Sequence, residues 1–227
     1  MIRFEAVSVT APGPDGDIAV LTDVDLELGE RRVALIGANG SGKSTLARLV
    51  NGLVEPTTGR VLVDDLDVAR HGRAVRRRVG FVFTDPAAQL VMPTVLEDVA
   101  LSLRRTHRDK GVRRAAARAV LDGVGLADLA ERSVHTLSGG QRQLLALAGV
   151  LATGPSVLVA DEPTTLLDLA NSRRIGELLL GLDQQLVLVT HDLDLAARCE
   201  RGVVVADGRV AFDGPAAEAV THYRATA

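Results

Sequence analysis

The 227-residue chain has no tryptophan, one tyrosine and four phenylalanines, an aromatic content of 2%. Nucleic-acid readers that stack bases on aromatic platforms need more. No single-sign charge field replaces those platforms, because 26 Lys and Arg stand against 29 Asp and Glu, a formal net charge of -3. Nucleic acid is therefore not expected as a partner. The single cysteine, Cys199, excludes an internal disulfide and fits a reducing compartment. It reads as a small apolar filler in a helix. Long uninterrupted apolar runs are missing too. The longest, Leu144 to Ala160, is broken by Gly154-Pro155-Ser156, whereas a membrane span needs roughly 20 apolar residues. It reads as a buried helix, a turn and a buried strand. The start, MIRFEAVSVT, alternates like a strand and lacks the apolar core of a signal peptide. Work at a membrane would need another protein as the anchor.

What is present suits a globular protein: 47% hydrophobic and 24% charged residues. IRFEAVSVT and AVLTDVDLEL have the period-two pattern of edge strands, joined by the Pro/Gly/Asp-rich turn APGPDGD. RRVALIG feeds a glycine loop, and STLARLVNGL has helical spacing. RVLVDDLDV, the basic stretch GRAVRRRVG and the strand-like VGFVF follow. Residues 86–150 are mostly helical in pattern. VLVAD, QLVLVT and GVVVADGRVAF then read as strands, with Asp207-Gly208 marking a hairpin. Buried strands alternating with helices predict a parallel α/β core from residues 1–85 and 151–227. Residues 86–150 read as a separate, inserted helical lobe.

Three segments carry chemistry. Gly37 to Ser44 fits G-x-x-x-x-G-K-[ST]. Gly37, Gly40 and Gly42 let backbone N–H groups turn toward phosphate oxygens, with Ala38, Asn39 and Ser41 between them and Thr45 just beyond. Lys43 supplies a cation, and Ser44 a hydroxyl for Mg²⁺. A plain glycine turn is the alternative, and the full spacing between strand and helix argues against it. VLVADEP ends a buried strand in two acids, costly without a cation or partner. Asp161 would hold Mg²⁺ through water, and Glu162 would act as general base on the attacking water. A surface acidic turn is the competing explanation. LVLVTHD places His191 after another buried strand, either to meet a γ-phosphate or the attacking water, or merely to sit beside a helix cap made by Asp192 or Asp194. A second phosphate-friendly turn, LSGGQ, lies at residues 137–141, far from the first.

In this order, GANGSGKST, LSGGQ, VLVADEP, TTLLD and VTHD resemble the ATP-binding-cassette (ABC) ATPases over essentially the whole chain. LSGGQ after a phosphate loop is highly specific to that family. The resemblance implies a P-loop NTPase fold with a parallel core, an N-terminal antiparallel β subdomain and an inserted helical subdomain. It implies ATP and Mg²⁺ as cofactors. Two cassettes, identical or paralogous, stack head to tail, each ATP lying between Gly37–Thr45 of one chain and Ser138, Gly139, Gly140 and Gln141 of the other. By the same carry-over, Asp168 lies on the loop at the seam, Ser44 and Asp161 hold the metal, and Glu162 and His191 are catalytic.

Closer still, FVFTDPAAQLVMPTVLEDVAL resembles the energy-coupling-factor (ECF) importers, in which Gln89 would start a short helix facing the transmembrane coupling protein. The runs ERRVALIGANGSGKST and QLLALAGVLATGPSVLVADEPTTLLDL are most similar to the biotin type. The implied role is the ATPase of a vitamin importer, cytoplasmic and peripheral on the inner face of the cell membrane. Its partners would be the coupling protein and a substrate-binding membrane subunit. Alternatives are a cobalt, nickel or other ABC importer, a soluble ABC switch protein, or a small-molecule kinase, which would leave LSGGQ and His191 without a role. Two positions depart from the family: Thr84 stands where a glutamine usually contacts metal and water, and Ala11 where an aromatic stacks on adenine, with Phe4 nearby. The usual acid before Gln89 is also missing. The Arg-rich stretches, Arg73 to Arg78 and Arg104 to Arg118, meet a membrane protein, anionic headgroups or simply solvent.

Overall fold

The computed structural model describes residues 1–14 and 16–226, so Asp15, from the stretch APGPDGD, lies outside the described residues. In chain order the elements are β1 (Ile2–Gly13), β2 (Gly16–Leu28), β3 (Arg32–Ile36), α1 (Lys43–Leu49), β4 (Thr58–Val63), β5 (Leu66–Asp67), α2 (Gly72–Arg78) and β6 (Val79–Val82). They continue with α3 (Val95–Ser102), α4 (Lys110–Gly123), α5 (Gly139–Leu151), β7 (Val157–Asp161), α6 (Leu169–Gly181), β8 (Gln185–Val189), α7 (Leu193–Ala196), β9 (Arg201–Ala206), β10 (Arg209–Pro215) and α8 (Ala216–Thr226).

The strands make two sheets, a four-stranded one in the order β2-β1-β4-β5 and a six-stranded one in the order β10-β9-β3-β8-β7-β6. The first is antiparallel throughout. In the second, β9, β3, β8, β7 and β6 run parallel and only β10 is reversed. Its reversal is the expected hairpin: Asp207 and Gly208 both take left-handed backbone, φ 49° and 71°, as a tight two-residue turn demands. The edge-strand expectation holds for β2 but not for β1, which is flanked on both sides by β2 and β4.

The central strands VALI, VLVAD and LVLV are apolar at almost every position because both sheet faces are covered. Alternation then sorts their side chains. Val33, Leu35, Val157, Val159, Val187 and Val189 join α1 and the antiparallel sheet in one core. Ala34, Ile36, Leu158, Ala160, Leu186 and Leu188 join buried residues of α3 to α8 in the other. Residues 86–150 thus share a continuous apolar core with one face of the main sheet. Their helices start on local caps: Thr94 accepts from the Glu97 N–H and Asp109 from the Val112 N–H.

Cys199 is buried, and burial pushes its thiol up to about 12. It lies beyond the end of α7, not within a helix as the sequence suggested. Phe4 is committed to the core and has no face free for a base. Among the described residues no helix is long and apolar enough to cross a membrane.

Candidate functional site

Parallel strands leave a crevice at their carboxyl ends, and the chemical residues collect there. The loop from Gly37 to Gly42 leaves β3 and enters α1. Gly37, Gly40 and Gly42 have φ of 154°, 79° and 103°. A Cβ on Gly37 would meet the Val205 carbonyl at 2.2 Å, and one on Gly42 the Val20 carbonyl at 2.8 Å. Only glycine fits either place. Ser41 donates its N–H to the Ala38 carbonyl at 3.2 Å, which closes the turn. Among the described residues, the N–H groups of Gly40, Gly42, Lys43, Ser44 and Thr45 have no acceptor within the chain. They form an anion nest at a helix N-terminus. Lys43 is buried, and its Nζ reaches across the loop to the Ala38 carbonyl at 3.1 Å. Ala38, Asn39 and Gly40 form the exposed lip.

Asp161 ends β7 and is 1% exposed. Its Oδ1 accepts from the Ser44 hydroxyl at 2.8 Å, and its Oδ2 from Arg48 Nη2 at 3.1 Å. A hydroxyl and a carboxylate in contact beside an anion nest are a fitting oxygen donor set for Mg²⁺. Thr84, just past β6, donates its hydroxyl to the Asp161 backbone carbonyl at 2.9 Å. Here Thr84 fastens the end of β7 instead of reaching toward the nest.

Glu162 follows with φ 53°, a left-handed conformation that is uncommon for a non-glycine residue. Its N–H is held by the Val189 carbonyl at 2.9 Å. Strain of this kind, kept by the surrounding structure, gathers at functional sites. The Glu162 carboxylate faces His191, with Nδ1 to Oε2 at 2.7 Å, and accepts from the Thr165 hydroxyl at 2.9 Å. The sequence nominated Glu162 and His191 separately; the structure joins them. The structure bears out the alternative for His191, a place beside a helix cap: Asp192 caps α7, accepting from the Asp194 and Leu195 N–H groups.

The other glycine turn is elsewhere. Ser138 caps α5 by accepting from the Gln141 N–H at 3.2 Å, while Gln141 Oε1 accepts from the Ser138 N–H at 2.9 Å. This reciprocal box was readable as Ser-x-x-Gln before an apolar run. It leaves the N–H groups of Gly139 and Gly140 without acceptors among the described residues. The neighbours of this turn are on the loop before α6 and in its first turn, not on the phosphate loop. A Cβ on Gly140 would meet Asn171 Cγ at 2.5 Å. Asn171 is in turn bound at both its N–H and its side-chain amide by Asp168, at 2.8 Å each. These bonds hold the Asp168 carboxyl below the usual carboxylate range.

Gln89 ends a short 3-10 turn, Pro86–Ala88, instead of starting a helix. Its amide faces inward, accepting from the Phe83 N–H at 2.8 Å and donating to the Phe81 carbonyl at 3.0 Å. It pins this loop to β6 and is not free for a partner. Much of the second basic stretch is satisfied internally, Arg114 and Arg118 by Glu131 and Arg113 by the His107 and Arg108 carbonyls.

The profile of the ABC transporter family matches residues 21–165. The chain belongs to the ABC transporter family. It is an ABC ATPase cassette. Along 223 residues it is 44% identical to the biotin transport ATP-binding protein BioM of Rhizobium etli, a match covering 98% of this chain and 97% of that one. Its fold is similar to the dimeric post-hydrolysis state of the ATP-binding cassette MJ0796 bound to ADP and Pi, with TM-score 0.85 and 31% identity over 95% of this chain and 99% of that chain. It is also similar to cbiO1 from Clostridium perfringens, part of the ABC transporter complex cbiONQ, with TM-score 0.84 and 30% identity over 99% and 92%. Two features of this cassette escaped the sequence: the Arg48–Asp161 contact and the Asn171 wedge between Asp168 and Gly140. Neither residue lies inside a motif.

Proposed function

We propose that this cassette is the ATP-hydrolysing subunit of an ECF-type vitamin importer, with biotin as the cargo to test first. The observation that carries this reading is the division of phosphate-binding parts. Loop, cation and acids converge at one place, while a second pair of free N–H groups, at Gly139 and Gly140, waits at another. A second cassette, stacked head to tail, satisfies both. The likeness to a biotin transport ATP-binding protein along nearly the whole chain supports the cargo class.

The roles follow from the geometry. The N–H groups of Gly40, Gly42, Lys43, Ser44 and Thr45 and the Lys43 ammonium bind the phosphates of ATP. Ser44 and Asp161 hold Mg²⁺, which neutralises phosphate charge when bound. Glu162 accepts the proton of the attacking water, and His191 fixes that carboxylate from 2.7 Å away. Ser138, Gly139, Gly140 and Gln141 of the second chain close over the γ-phosphate, and Asp168 positions that turn through Asn171. Residues 86–150 carry the closing turn. The partners are a transmembrane coupling protein and a substrate-binding membrane subunit, which keep the cassette on the inner face of the cell membrane. A cobalt or nickel importer is the second reading, since the phosphate-binding parts of the cassette are indifferent to the cargo.

The test is affinity purification of the tagged chain from detergent extract, with uptake of labelled biotin in the same cells. Co-purified membrane subunits, and uptake that stops with Glu162→Gln, are the expected result. Uptake of a metal ion in place of biotin would move the cargo to the second reading. Recovery of the chain without any membrane subunit would overturn transport coupling.

A further inference from the structure

Asp161 is a buried carboxylate that must be balanced before any nucleotide or metal arrives. The lysine of the phosphate loop does not balance it, because Lys43 Nζ is turned to the Ala38 carbonyl. The balancing charge is Arg48. It sits one helical turn after Ser44 on α1, so both side chains lie on the helix face toward β7. Ser44 takes Oδ1 of Asp161 and Arg48 takes Oδ2. Asp161 is the only acid that pairs with Arg48 among the described residues. The fit is imperfect on the arginine side: Arg48 Nε is buried and has no hydrogen-bond partner. One single-pronged contact therefore holds the guanidinium, not the two-pronged grip that arginine and carboxylate usually favour.

We infer that Arg48 is a resident stand-in cation, a positioning residue that occupies Asp161 in the nucleotide-free cassette and competes with the divalent ion for it. This rests on the reading that Ser44 and Asp161 hold Mg²⁺. Arg48 holds the buried carboxylate from its Oδ2 side and keeps Oδ1 oriented toward Ser44. A divalent ion brings twice the charge but must displace or share with Arg48, so alone it binds weakly. With nucleotide phosphates in the nest, the local field turns negative and the ion wins. Metal binding is thereby tied to nucleotide binding. After product release Arg48 regains Oδ2, and this favours metal departure. The orphaned Nε and the single contact are what a displaceable partner needs.

The experiment uses Mn²⁺ as the probe, followed by electron paramagnetic resonance, on the full chain without nucleotide. Arg48→Met should bind Mn²⁺ about tenfold or more tightly than the wild type, as expected when the unit charge 3.1 Å from Asp161 Oδ2 is removed. Arg48→Lys should keep most of the wild-type weakness. Thermal melting gives an independent readout. Arg48→Met should melt below the wild type in chelator and recover on adding Mn²⁺ without nucleotide, whereas the wild type should not shift. A merely structural arginine would lower the melting point without that rescue. Equal Mn²⁺ affinity in wild type and Arg48→Met, with Asp161→Ala abolishing Mn²⁺ binding in the presence of ADP, would overturn the stand-in role and leave the metal site intact. Insensitivity of Mn²⁺–ADP binding to Asp161→Ala would instead overturn the metal site itself, and the stand-in role with it.

Discussion

The cassette contains two glycine-rich turns that each open a helix, and they are built in opposite ways. The turn from Gly37 to Gly42 uses left-handed glycines, threads beneath the Val205 and Val20 carbonyls, and buries a lysine. It is framed by Ser44, Asp161, Glu162 and His191, gathered at the ends of parallel strands. The turn from Ser138 to Gln141 has no left-handed glycine and is closed by its own capping box. It offers a phosphate two N–H groups, the Ser138 hydroxyl and the dipole of α5. The first turn is a full binding site and the second is half of one. A lone helix N-terminus without a cation binds phosphate weakly, so the second turn has value only where phosphate is already held by something else. The contrast in construction is therefore the physical case for assembly of two chains.

The largest expected effect sharpens that contrast from the chemical side. Glu162→Gln keeps the contacts to His191 and Thr165 but cannot accept a proton, so turnover should fall by about 10²- to 10⁴-fold. Nucleotide should still bind, and gel filtration with ATP and Mg²⁺ should show an accumulated dimer. Turnover near the wild-type rate would remove Glu162 from the base role. Next in size is a direct break between the two turns. Lys43→Ala removes a charge-assisted contact and should weaken ATP binding by about a hundredfold, measured by titration calorimetry. Ser138→Arg should leave that affinity within about twofold, since its turn lies outside the first site, but should prevent the ATP-dependent dimer. If both variants lose nucleotide affinity alike, the two turns belong to one site and the assembly of two chains is wrong.

These contrasts were legible in the sequence to different depths. The strands of the main sheet could be read because burial on both faces leaves unbroken apolar runs, as in VLVAD and LVLV. The phosphate loop could be read because its glycines, lysine and serine are contiguous and each is forced by local geometry. The capping box was present as Ser138 and Gln141, one helical turn apart, although the glycines drew attention away from it. Long-range pairing was not readable. Arg48 and Asp161 are separated by 113 positions and His191 and Glu162 by 29. Local periodicity carries no information on which side chains will meet across strand ends. Gln89 shows the same limit: its amide matches the Phe83 N–H and the Phe81 carbonyl, and that nearer bonding won. The helix expected around Cys199 ends early, because α7 stops at Ala196.

A smaller effect tests the mechanical hold on the second turn. Gly140→Ala would drive a methyl to within 2.5 Å of Asn171 Cγ and Oδ1, and overpacking of this sort costs about 1–3 kcal/mol. The melting temperature should drop by a few degrees, about 2–4 °C per kcal/mol at this chain length. ATPase should fall while nucleotide affinity stays, because the displaced Asn171 loses its grip on Asp168. Adding Asn171→Ala to the variant should recover the melting temperature but not the ATPase. Recovery of both would mean that Asn171 only fills space.

The smallest effect concerns the one place where the first turn is less complete than its surroundings suggest. Thr84 stands just past β6, and its hydroxyl is spent on the Asp161 carbonyl at 2.9 Å. A hydroxyl bound there can still accept, but it cannot extend toward a water above Ser44 and Asp161. Glutamine at this position adds reach and a second polar group. Thr84→Gln should therefore raise basal hydrolysis of the isolated cassette several-fold, since aligning the attacking water recovers part of the near-attack geometry. The gain is held down by a loss, because the bond that steadies the end of β7 disappears. Steady-state ATPase of both forms, alone and with the membrane partner bound, separates the two consequences. A gain only in the isolated form would mean that the partner normally completes the water site, whereas a fall in both would show that fastening β7 matters more than reach. Unchanged rates in both would mean that residue 84 does not limit the chemistry, leaving closure by the second turn as the slow event.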